Sequence, residues 1–259
     1  MKRTLACLAL CTLSSLTFGA VQTKVIHYEH EGTPLTGYLY WDDASTEKRP
    51  GVLVIHEWWG LNDYAKSRAK KLAELGYVSF AADLYGDGRV TDQPSQAQEW
   101  MLEITADVEF WRERAELGLA QLRKSAFVDA DKLAAIGYCF GGGSVLQMAY
   151  GGAPVRGVVS FHGSLPAAPA ENKGKIASKI LVLHGYADRF LSPELVADFQ
   201  AKLEAAGADW EMDSYGGVRH SFTNPEVGKF GIENLRYDPQ ADARSWQRMQ
   251  AFFREIFGE

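Results

Sequence analysis

Apolar and polar residues alternate near the start of the chain, in KVIHYEH (24–30) and TGYLYW (36–41). Alternation with a period of two is typical of strands with one covered face, so the two runs predict an antiparallel hairpin. Farther along, the apolar runs are continuous and indicate strands that helices cover on both faces. They are GVLVIH, YVSFAADL, KLAAIGY, VRGVVSFHG and KILVLHG, beginning at Gly51, Tyr77, Lys132, Val155 and Lys179.

Stretches with helical apolar spacing separate these runs. They cover residues 63–75, 94–122 with a break, 142–150, 193–206 and 239–257, and a last strand-like run, WEMDSY, covers 210–215. Strands that alternate with helices predict an α/β fold, with a mostly parallel central sheet covered by helices on both faces. In such sheets, ligands bind at the carboxyl ends of the strands.

The first segment, MKRTLACLALCTLSSLTFGA, has the pattern of a secretory signal peptide: Lys2 and Arg3, then an apolar core, then small residues. We therefore expect a signal peptide at residues 1–19, a single domain at residues 20–259, and export to the periplasm or the medium. The apolar core is too short for a membrane span, so we expect no stable membrane insertion.

The charge of the chain argues against one class of partner. The sequence has 27 basic and 33 acidic side chains, and loss of Lys2 and Arg3 with the signal peptide leaves 25 against 33, a net charge of −8. A nucleic-acid partner requires a basic surface, so we expect none.

Cysteine usage draws attention to the stretch GYCFGG at residues 137–142. Cys7 and Cys11 belong to the predicted signal peptide, so Cys139 is the one cysteine of the mature chain. An unpaired thiol is a liability in an oxidising compartment, which implies that it is either buried or used. Glycines on both sides match the strand–turn–helix elbow that presents a nucleophile, whereas a phosphate-binding loop would need a following Lys-Ser/Thr pair.

A thiol nucleophile needs a base, and an imidazole held by a carboxylate is the usual one. Hydrolases of this architecture place nucleophile, acid and histidine in that order along the chain. His220, in GGVRHSF, is the one histidine that leaves room for an acid in between, and Asp188, in LVLHGYADRF, follows a predicted strand. The alternatives are a helix cap or loop ion pair for Asp188 and a surface position for His220.

Taken together, the motifs HEWWG, ADLYG, GYCFGG, HGYAD and RHSF resemble those of the dienelactone hydrolase family, from about Val25 to the C-terminus. The resemblance implies an α/β-hydrolase fold, a Cys139–Asp188–His220 triad, a small ester or lactone as substrate, and neither cofactor nor metal. Acyl transfer would then pass through a thioester on the cysteine, with proton transfer by the histidine.

The resemblance also gives roles to three residues beside the triad. In similar enzymes a glutamate at the position of Glu57 contacts the resting thiol, and a nearby carboxylate disfavours the thiolate. The alternative is that Glu57 pairs with an arginine and takes no chemical part. The backbone N–H groups of Phe140 and Trp58 are expected to bind the oxyanion.

Substrate contacts are the least defined part of the sequence. We expect Trp59, Tyr85 and Phe222 to line an apolar pocket, although ordinary loop packing explains them equally well. Arg89 is a candidate for binding an anionic substrate. The family pattern has an arginine four residues after the histidine, where this chain has Asn224, so we expect a preference for neutral esters.

Other classes of function remain open. A non-catalytic binding protein with this fold would not need the three triad residues, and a thiol peptidase would use the same chemistry on a different bond. A thiol redox protein would need a second nearby cysteine, and the chain has no C-x-x-C.

Overall fold

The computed structural model describes residues 19–258. The predicted signal peptide therefore lies outside the described residues, apart from Gly19. The division into a signal peptide and one domain at residues 20–259 stays a prediction.

A single sheet of eight strands runs through the described residues, in the order β1-β2-β4-β3-β5-β6-β7-β8. The strands are β1 (Val21–His30), β2 (Thr33–Asp42), β3 (Arg49–Ile55), β4 (Val78–Ala82), β5 (Val128–Tyr138), β6 (Gly157–Phe161), β7 (Lys179–Gly185) and β8 (Trp210–Tyr215). β1 and β2 form the predicted antiparallel hairpin, β2 also pairs antiparallel with β4, and every pair from β4 to β8 is parallel.

Residues 19–258 include six α-helices, five of them between strands and the sixth after the last strand. They are α1 (Asp63–Glu74), α2 (Pro94–Thr105), α3 (Val108–Arg123), α4 (Phe140–Gly151), α5 (Pro193–Ala206) and α6 (Pro239–Phe257). The predicted break in the second helical stretch falls between α2 and α3, where the Asp107 side chain accepts hydrogen bonds from the N–H groups of Glu109 and Phe110. A side-chain cap of this kind satisfies N–H groups that a new helix leaves unpaired, so a second helix starts here.

Helices cover both faces of the sheet, as the continuous apolar runs predict. Along β3, Leu53 and Ile55 pack into the core beneath α3 and α4, whereas Val52 and Val54 face α1 and α6. The alternation follows from the two-residue period of a strand, and it confirms the predicted α/β-hydrolase architecture. Within residues 19–258, no helix has the length and apolar character needed to cross a membrane.

The sheet brings the candidate residues together because parallel strands end at the same edge. Glu57 follows β3, Cys139 follows β5, Asp188 follows β7 and His220 follows β8. The residues predicted from separate motifs therefore lie at one edge of one sheet.

Candidate active site

Cys139 lies at a sharp turn between β5 and α4, with φ 54° and ψ −115°. A non-glycine residue at positive φ is strained, and such strain is stored at sites where a side chain must be presented. The turn needs glycine on both sides: a Cβ at Gly137 would lie 1.9 Å from the Gly141 carbonyl oxygen, and one at Gly141 would lie 2.4 Å from that of Ile55. A hydrogen bond from the Cys139 N–H to the Phe161 carbonyl (3.0 Å) ties the turn to β6.

His220 and Asp188 form a buried pair at the next strand ends. The Nδ1 atom of His220 lies 2.6 Å from Oδ2 of Asp188. The other carboxylate oxygen accepts hydrogen bonds from the Asn234 side chain (3.0 Å) and the Phe190 N–H (2.9 Å). Burial alone would raise the pKa of Asp188, but the hydrogen bond and charge of His220 outweigh it and lower that pKa to about 2. Asp188 is therefore ionised and holds the imidazole in one orientation.

The imidazole of His220 is placed to carry a proton beside the thiol. Its Nε2 atom is buried and has no oxygen or nitrogen partner in the described part of the chain. Burial would lower the pKa of His220, but the proximity of Cys139 and the hydrogen bond to Asp188 act in the opposite direction, and the pKa rises to about 10. This environment favours the protonated form of the imidazole.

Glu57 is completely buried, and both of its oxygens are bound by residues that follow the histidine. Its carboxylate accepts hydrogen bonds from the Ser221 hydroxyl (2.6 Å) and from the Asn224 side chain (2.7 Å). Burial raises the pKa of Glu57, and these two hydrogen bonds oppose the rise. In this arrangement Glu57 connects the loop after β3 to the histidine loop, and its hydrogen bonds among the described residues go there rather than to Cys139.

The two expected oxyanion donors belong to residues that line the cavity at the cysteine. Trp58 and Phe140 line one cavity with Cys139 and His220. Phe140 is the first residue of α4, where a backbone N–H has no partner within the helix. In the described part of the chain, neither the Trp58 N–H nor the Phe140 N–H has a hydrogen-bond partner.

The cavity over Cys139 has a volume of about 260 Å³ and an apolar wall. Gly163 and Ser164 complete the lining, which within the described residues includes no Asp, Glu, Lys or Arg. The apolar side chains come from five separate segments: Trp58, Met101, Phe140, Phe190 with Leu191, and Leu235. An apolar wall of this kind suits an uncharged organic group.

Three of the residues expected to contact substrate lie outside this lining. Trp59, Tyr85 and Phe222 are each 0% exposed, so they pack beneath the cavity and not along its wall. Trp59 stacks on Phe230 with ring centroids 3.7 Å apart. Ordinary packing, which the sequence left as an alternative, describes their positions.

Arg89 also lies away from the cavity lining. Its guanidinium binds the backbone carbonyl of Tyr85, forms an ion pair with Glu103 of α2 (3.2 Å), and lies 5.5 Å from the ring of Trp100. Asn224 is equally occupied, since it is completely buried against Glu57. Neither side chain is placed to bind a substrate carboxylate in this arrangement.

Sequence reasoning missed several residues that build the site. Phe190 and Leu191 directly follow the candidate acid, and an apolar pair after a strand-end loop was a usable signal. Met101 and Asn234 come from distant segments, and nothing local marks them. Among residues 19–258, no group of three or more His, Cys, Asp or Glu is placed to hold a metal ion.

Comparison with known proteins places this arrangement in a family. The model of the dienelactone hydrolase family matches residues 35–257. A dienelactone hydrolase-like promiscuous phosphotriesterase from metagenomic libraries has a similar structure, with a TM-score of 0.89 and 38% identity, covering 92% of this chain and 99% of that one.

Two bacterial relatives are similar over nearly their whole length. Protein usf of Aquifex pyrophilus is 28% identical over 246 residues, which is 90% of this chain and 98% of the relative. A predicted carboxymethylenebutenolidase of Aquifex aeolicus is 27% identical over 249 residues, covering 89% of this chain and 97% of the relative. The chain therefore belongs to the dienelactone hydrolase family of α/β-hydrolases, enzymes that act on ester or lactone bonds.

Proposed function

We propose that this protein hydrolyses small, uncharged esters or lactones with Cys139 as nucleophile, His220 as acid and base, and Asp188 as the carboxylate that orients the histidine. The observation that carries the proposal is the buried His220–Asp188 pair, whose Nδ1 and Oδ2 atoms lie 2.6 Å apart. Cys139 contributes to the raised pKa of the same imidazole. The uncharged lining of the cavity supports a neutral substrate.

Acylation follows from these positions. The Cys139 sulfur attacks the carbonyl carbon, the C=O electron pair moves to oxygen, and the N–H groups of Trp58 and Phe140 stabilise the oxyanion. When the tetrahedral intermediate collapses, the C–O bond breaks, and the proton on His220 moves to the departing alkoxide. An alcohol leaves, or the opened end of a lactone stays attached, and the acyl group remains on sulfur as a thioester.

Deacylation reverses the roles of the same groups. His220, now neutral, takes a proton from a water molecule that attacks the thioester carbon. The second oxyanion collapses, the C–S bond breaks, and the acid product and the imidazolium–thiolate pair are formed. Asp188 remains ionised throughout and, by binding Nδ1, keeps the Nε2 atom of His220 available for proton transfer.

A panel of uncharged chromogenic esters tests the proposal. We expect turnover by the wild type, a covalent acyl adduct on Cys139 detected by mass spectrometry after rapid acid quenching, and a loss of several orders of magnitude in kcat for Cys139→Ala. Activity of Cys139→Ala within about tenfold of the wild type would show that another group is the nucleophile.

The same panel separates the alternatives. A non-catalytic binding protein would bind esters without releasing product, and a thiol peptidase would cleave short amides faster than esters of the same acyl group. A neutral aryl phosphotriester belongs in the panel, because the metagenomic phosphotriesterase is similar along 92% of this chain and the cavity here is uncharged. Phosphotriester turnover that disappears in Cys139→Ala would establish a second activity of the same site.

We also propose that the enzyme works outside the cytoplasm. The support is the pattern of residues 1–19, with a basic start, an apolar core and small residues at the end. Fractionation of the native host, with N-terminal sequencing, is expected to recover protein that starts near Ala20 or Val21 in the exported fraction. Recovery of cytosolic protein that retains Met1 would contradict export and leave the proposed chemistry unaffected.

A further inference from the structure

The peptide bond between Glu57 and Trp58 is held by the side chain of His56. The imidazole is completely buried, and its Nδ1 atom lies 2.5 Å from the Glu57 carbonyl oxygen. Its Nε2 atom accepts a hydrogen bond from the Leu84 N–H at 3.2 Å. A carbonyl oxygen can only accept, so Nδ1 carries the proton and Nε2 carries the lone pair. Burial lowers the pKa of His56, in agreement with this neutral form.

The orientation of one carbonyl sets the orientation of the N–H across the peptide bond. In a planar trans peptide the two groups point in opposite directions. Because the Glu57 oxygen is drawn towards His56, the N–H of Trp58 is directed away from His56. Trp58 lines the cavity together with Cys139.

Tyr85 holds the carbonyl on the other side of the same residue. Its hydroxyl donates a hydrogen bond to the Trp58 carbonyl oxygen at 2.9 Å, and its ring is completely buried. The carbonyl groups that precede and follow the Trp58 N–H therefore each have a buried side-chain donor. Rotation of this loop would break one of the two hydrogen bonds.

The two side chains also contact the residue that carries the second proposed donor. The rings of His56 and Tyr85 have centroids 5.0 Å apart, and the ring of Phe140 lies 6.0 Å from the first and 5.6 Å from the second. The Gly141 N–H donates to the His56 carbonyl oxygen at 3.1 Å, which joins the two loops through the backbone as well.

We propose that His56 and Tyr85 are positioning residues of the oxyanion hole, which fix the Trp58 N–H relative to the Phe140 N–H. This inference rests on the proposed acyl transfer at Cys139. It assigns a role to two side chains that do not line the cavity and that lie outside the triad.

Three variants test the inference. Tyr85→Phe removes one hydroxyl, His56→Leu removes the donor to Glu57, and His56→Asn keeps an amide N–H close to the position of Nδ1. Removal of an oxyanion donor lowers kcat by roughly 100- to 1000-fold, so a misplaced donor is expected to cost about 10-fold in Tyr85→Phe and about 100-fold in His56→Leu. KM should change little, and His56→Asn should regain part of the loss.

A matched control separates this effect from general loss of structure. Tyr150→Phe also removes a buried hydroxyl that donates to a backbone carbonyl, that of Pro166 at 3.0 Å, and Tyr150 does not line the cavity. We expect its kcat to equal that of the wild type. If His56→Leu does not fold, as judged by circular dichroism and thermal unfolding, Tyr85→Phe against Tyr150→Phe decides the question.

Two probes of Cys139 show where the effect acts. Alkylation by iodoacetamide forms no oxyanion, so its rate should be unchanged in Tyr85→Phe. An aldehyde analogue of the acyl group adds to the thiol to form a tetrahedral oxyanion, so its Ki should rise by the factor by which kcat/KM falls.

The outcomes are distinguishable from a failure of the proposed function. If alkylation slowed in parallel with ester turnover, the substitution would act on the reactivity of the thiol, and the inference would be wrong. A Tyr85→Phe enzyme as active as Tyr150→Phe would also overturn it. In both cases an inactive Cys139→Ala enzyme would leave the proposed function in place. An active Cys139→Ala enzyme would overturn the proposed function itself.

Discussion

Two buried carboxylates near the thiol have opposite environments at the scale of single residues. Asp188 faces the imidazole of His220, which lowers its pKa to about 2, whereas Glu57 is bound by a neutral hydroxyl and a neutral amide, and burial raises its pKa. When the pKa values of two neighbouring acids shift in opposite directions, the two groups have different roles in the site. Asp188 stabilises positive charge on the histidine, and Glu57 holds the histidine loop against the loop that follows β3.

The elevated pKa of His220, about 10, predicts the alkaline limit of activity. The imidazolium that protonates the leaving group is present below this pKa and lost as the pH rises through it. Asp188→Asn removes one of the causes of the elevation, so the alkaline limb of kcat/KM for an alkyl ester should move towards the ordinary value of 6.5. Profiles from pH 5 to 11 measure the shift.

Asp213→Asn provides the control for this profile, because Asp213 is a carboxylate at the edge strand β8 and does not line the cavity. Its alkaline limb should coincide with that of the wild type. An alkaline limb that stays in place in Asp188→Asn would mean that His220 is not the titrating group.

The sequence predicts candidate site residues where a local motif marks them. Cys139, Asp188 and His220 each follow a recognisable strand, and the structure brings the second and third into contact. Asn234, which holds Asp188 from 46 positions away, and the Asn224–Glu57 hydrogen bond, which spans 167, are not visible in this way. Such contacts depend on how loops meet in three dimensions, and no local pattern encodes them.

At the scale of elements, α2 stands apart from the helices that cover the sheet. It buries Ala97 and Ile104 but lacks a side-chain cap at its N-terminus. Arg89 links it to the loop after β4 through the ion pair with Glu103 and the contact with Trp100. Because Met101 of this helix lines the cavity, Arg89 stabilises one wall of the site.

Replacement of Arg89 by Met should therefore loosen α2. A partly exposed ion pair and a cation–π contact are worth about 1 kcal/mol together, which corresponds to about a fivefold larger population of open states. Hydrogen exchange should show faster exchange at residues 94–105, and selectivity between long and short acyl esters should change more than activity on the shortest ester.

Arg123→Met is the matched control, since Arg123 is an exposed arginine in the last turn of α3. It should leave exchange in α2 unchanged. Equal exchange of α2 in Arg89→Met and wild type would show that the packing of Trp100 on Tyr85, with ring centroids 5.7 Å apart, is sufficient to hold the helix.

At the scale of the whole molecule, the net charge of the chain and the lining of the cavity both disfavour an anionic substrate. The chain has a net charge of −6, and the lining of the cavity among the described residues includes no Asp, Glu, Lys or Arg. An anionic substrate would be repelled weakly at long range and would find no cation at short range. The expected preference for neutral esters, first drawn from Asn224, is thus supported by the composition of the wall.

This preference predicts the outcome of a paired substrate test. The wild type should have a higher kcat/KM for a neutral ester than for its carboxylate-bearing analogue. Met101→Arg, which places a cation on the cavity wall, should shift the ratio towards the anionic ester by about tenfold, equivalent to about 1.4 kcal/mol. Steady-state kinetics on the two esters give the ratio.

Leu102→Arg is the control, because Leu102 is the next residue of α2, is 53% exposed and does not line the cavity. It adds the same charge to the molecule without a cation at the site, so its ratio should match the wild type. A wild-type preference for the anionic ester would contradict the prediction and indicate a cationic contact made only in the bound state.

The overall architecture was accessible from the sequence because its signals are periodic and repeated. Continuous apolar runs predicted β3 to β7, and alternation predicted the β1–β2 hairpin, and both are confirmed. The sequence left open whether Trp59 and Tyr85 line the cavity or pack beneath it, and the structure buries both. An aromatic residue in a strand-end loop has the same local sequence pattern whether it lines a cavity or packs below it. Which of the two occurs depends on how α2 packs over the loop in three dimensions.

The position of α2 also has a consequence for the history of such enzymes. The proposed reacting groups follow β5, β7 and β8, whereas Met101 of the cavity wall belongs to α2, which lies between β4 and α3. Duplicated genes could therefore exchange or lengthen residues 86–107 and acquire new substrates while inheriting the chemistry unchanged. Divergence among descendants of one ancestor should accumulate in this segment, and selection in the laboratory for new acyl groups should find its first beneficial changes there.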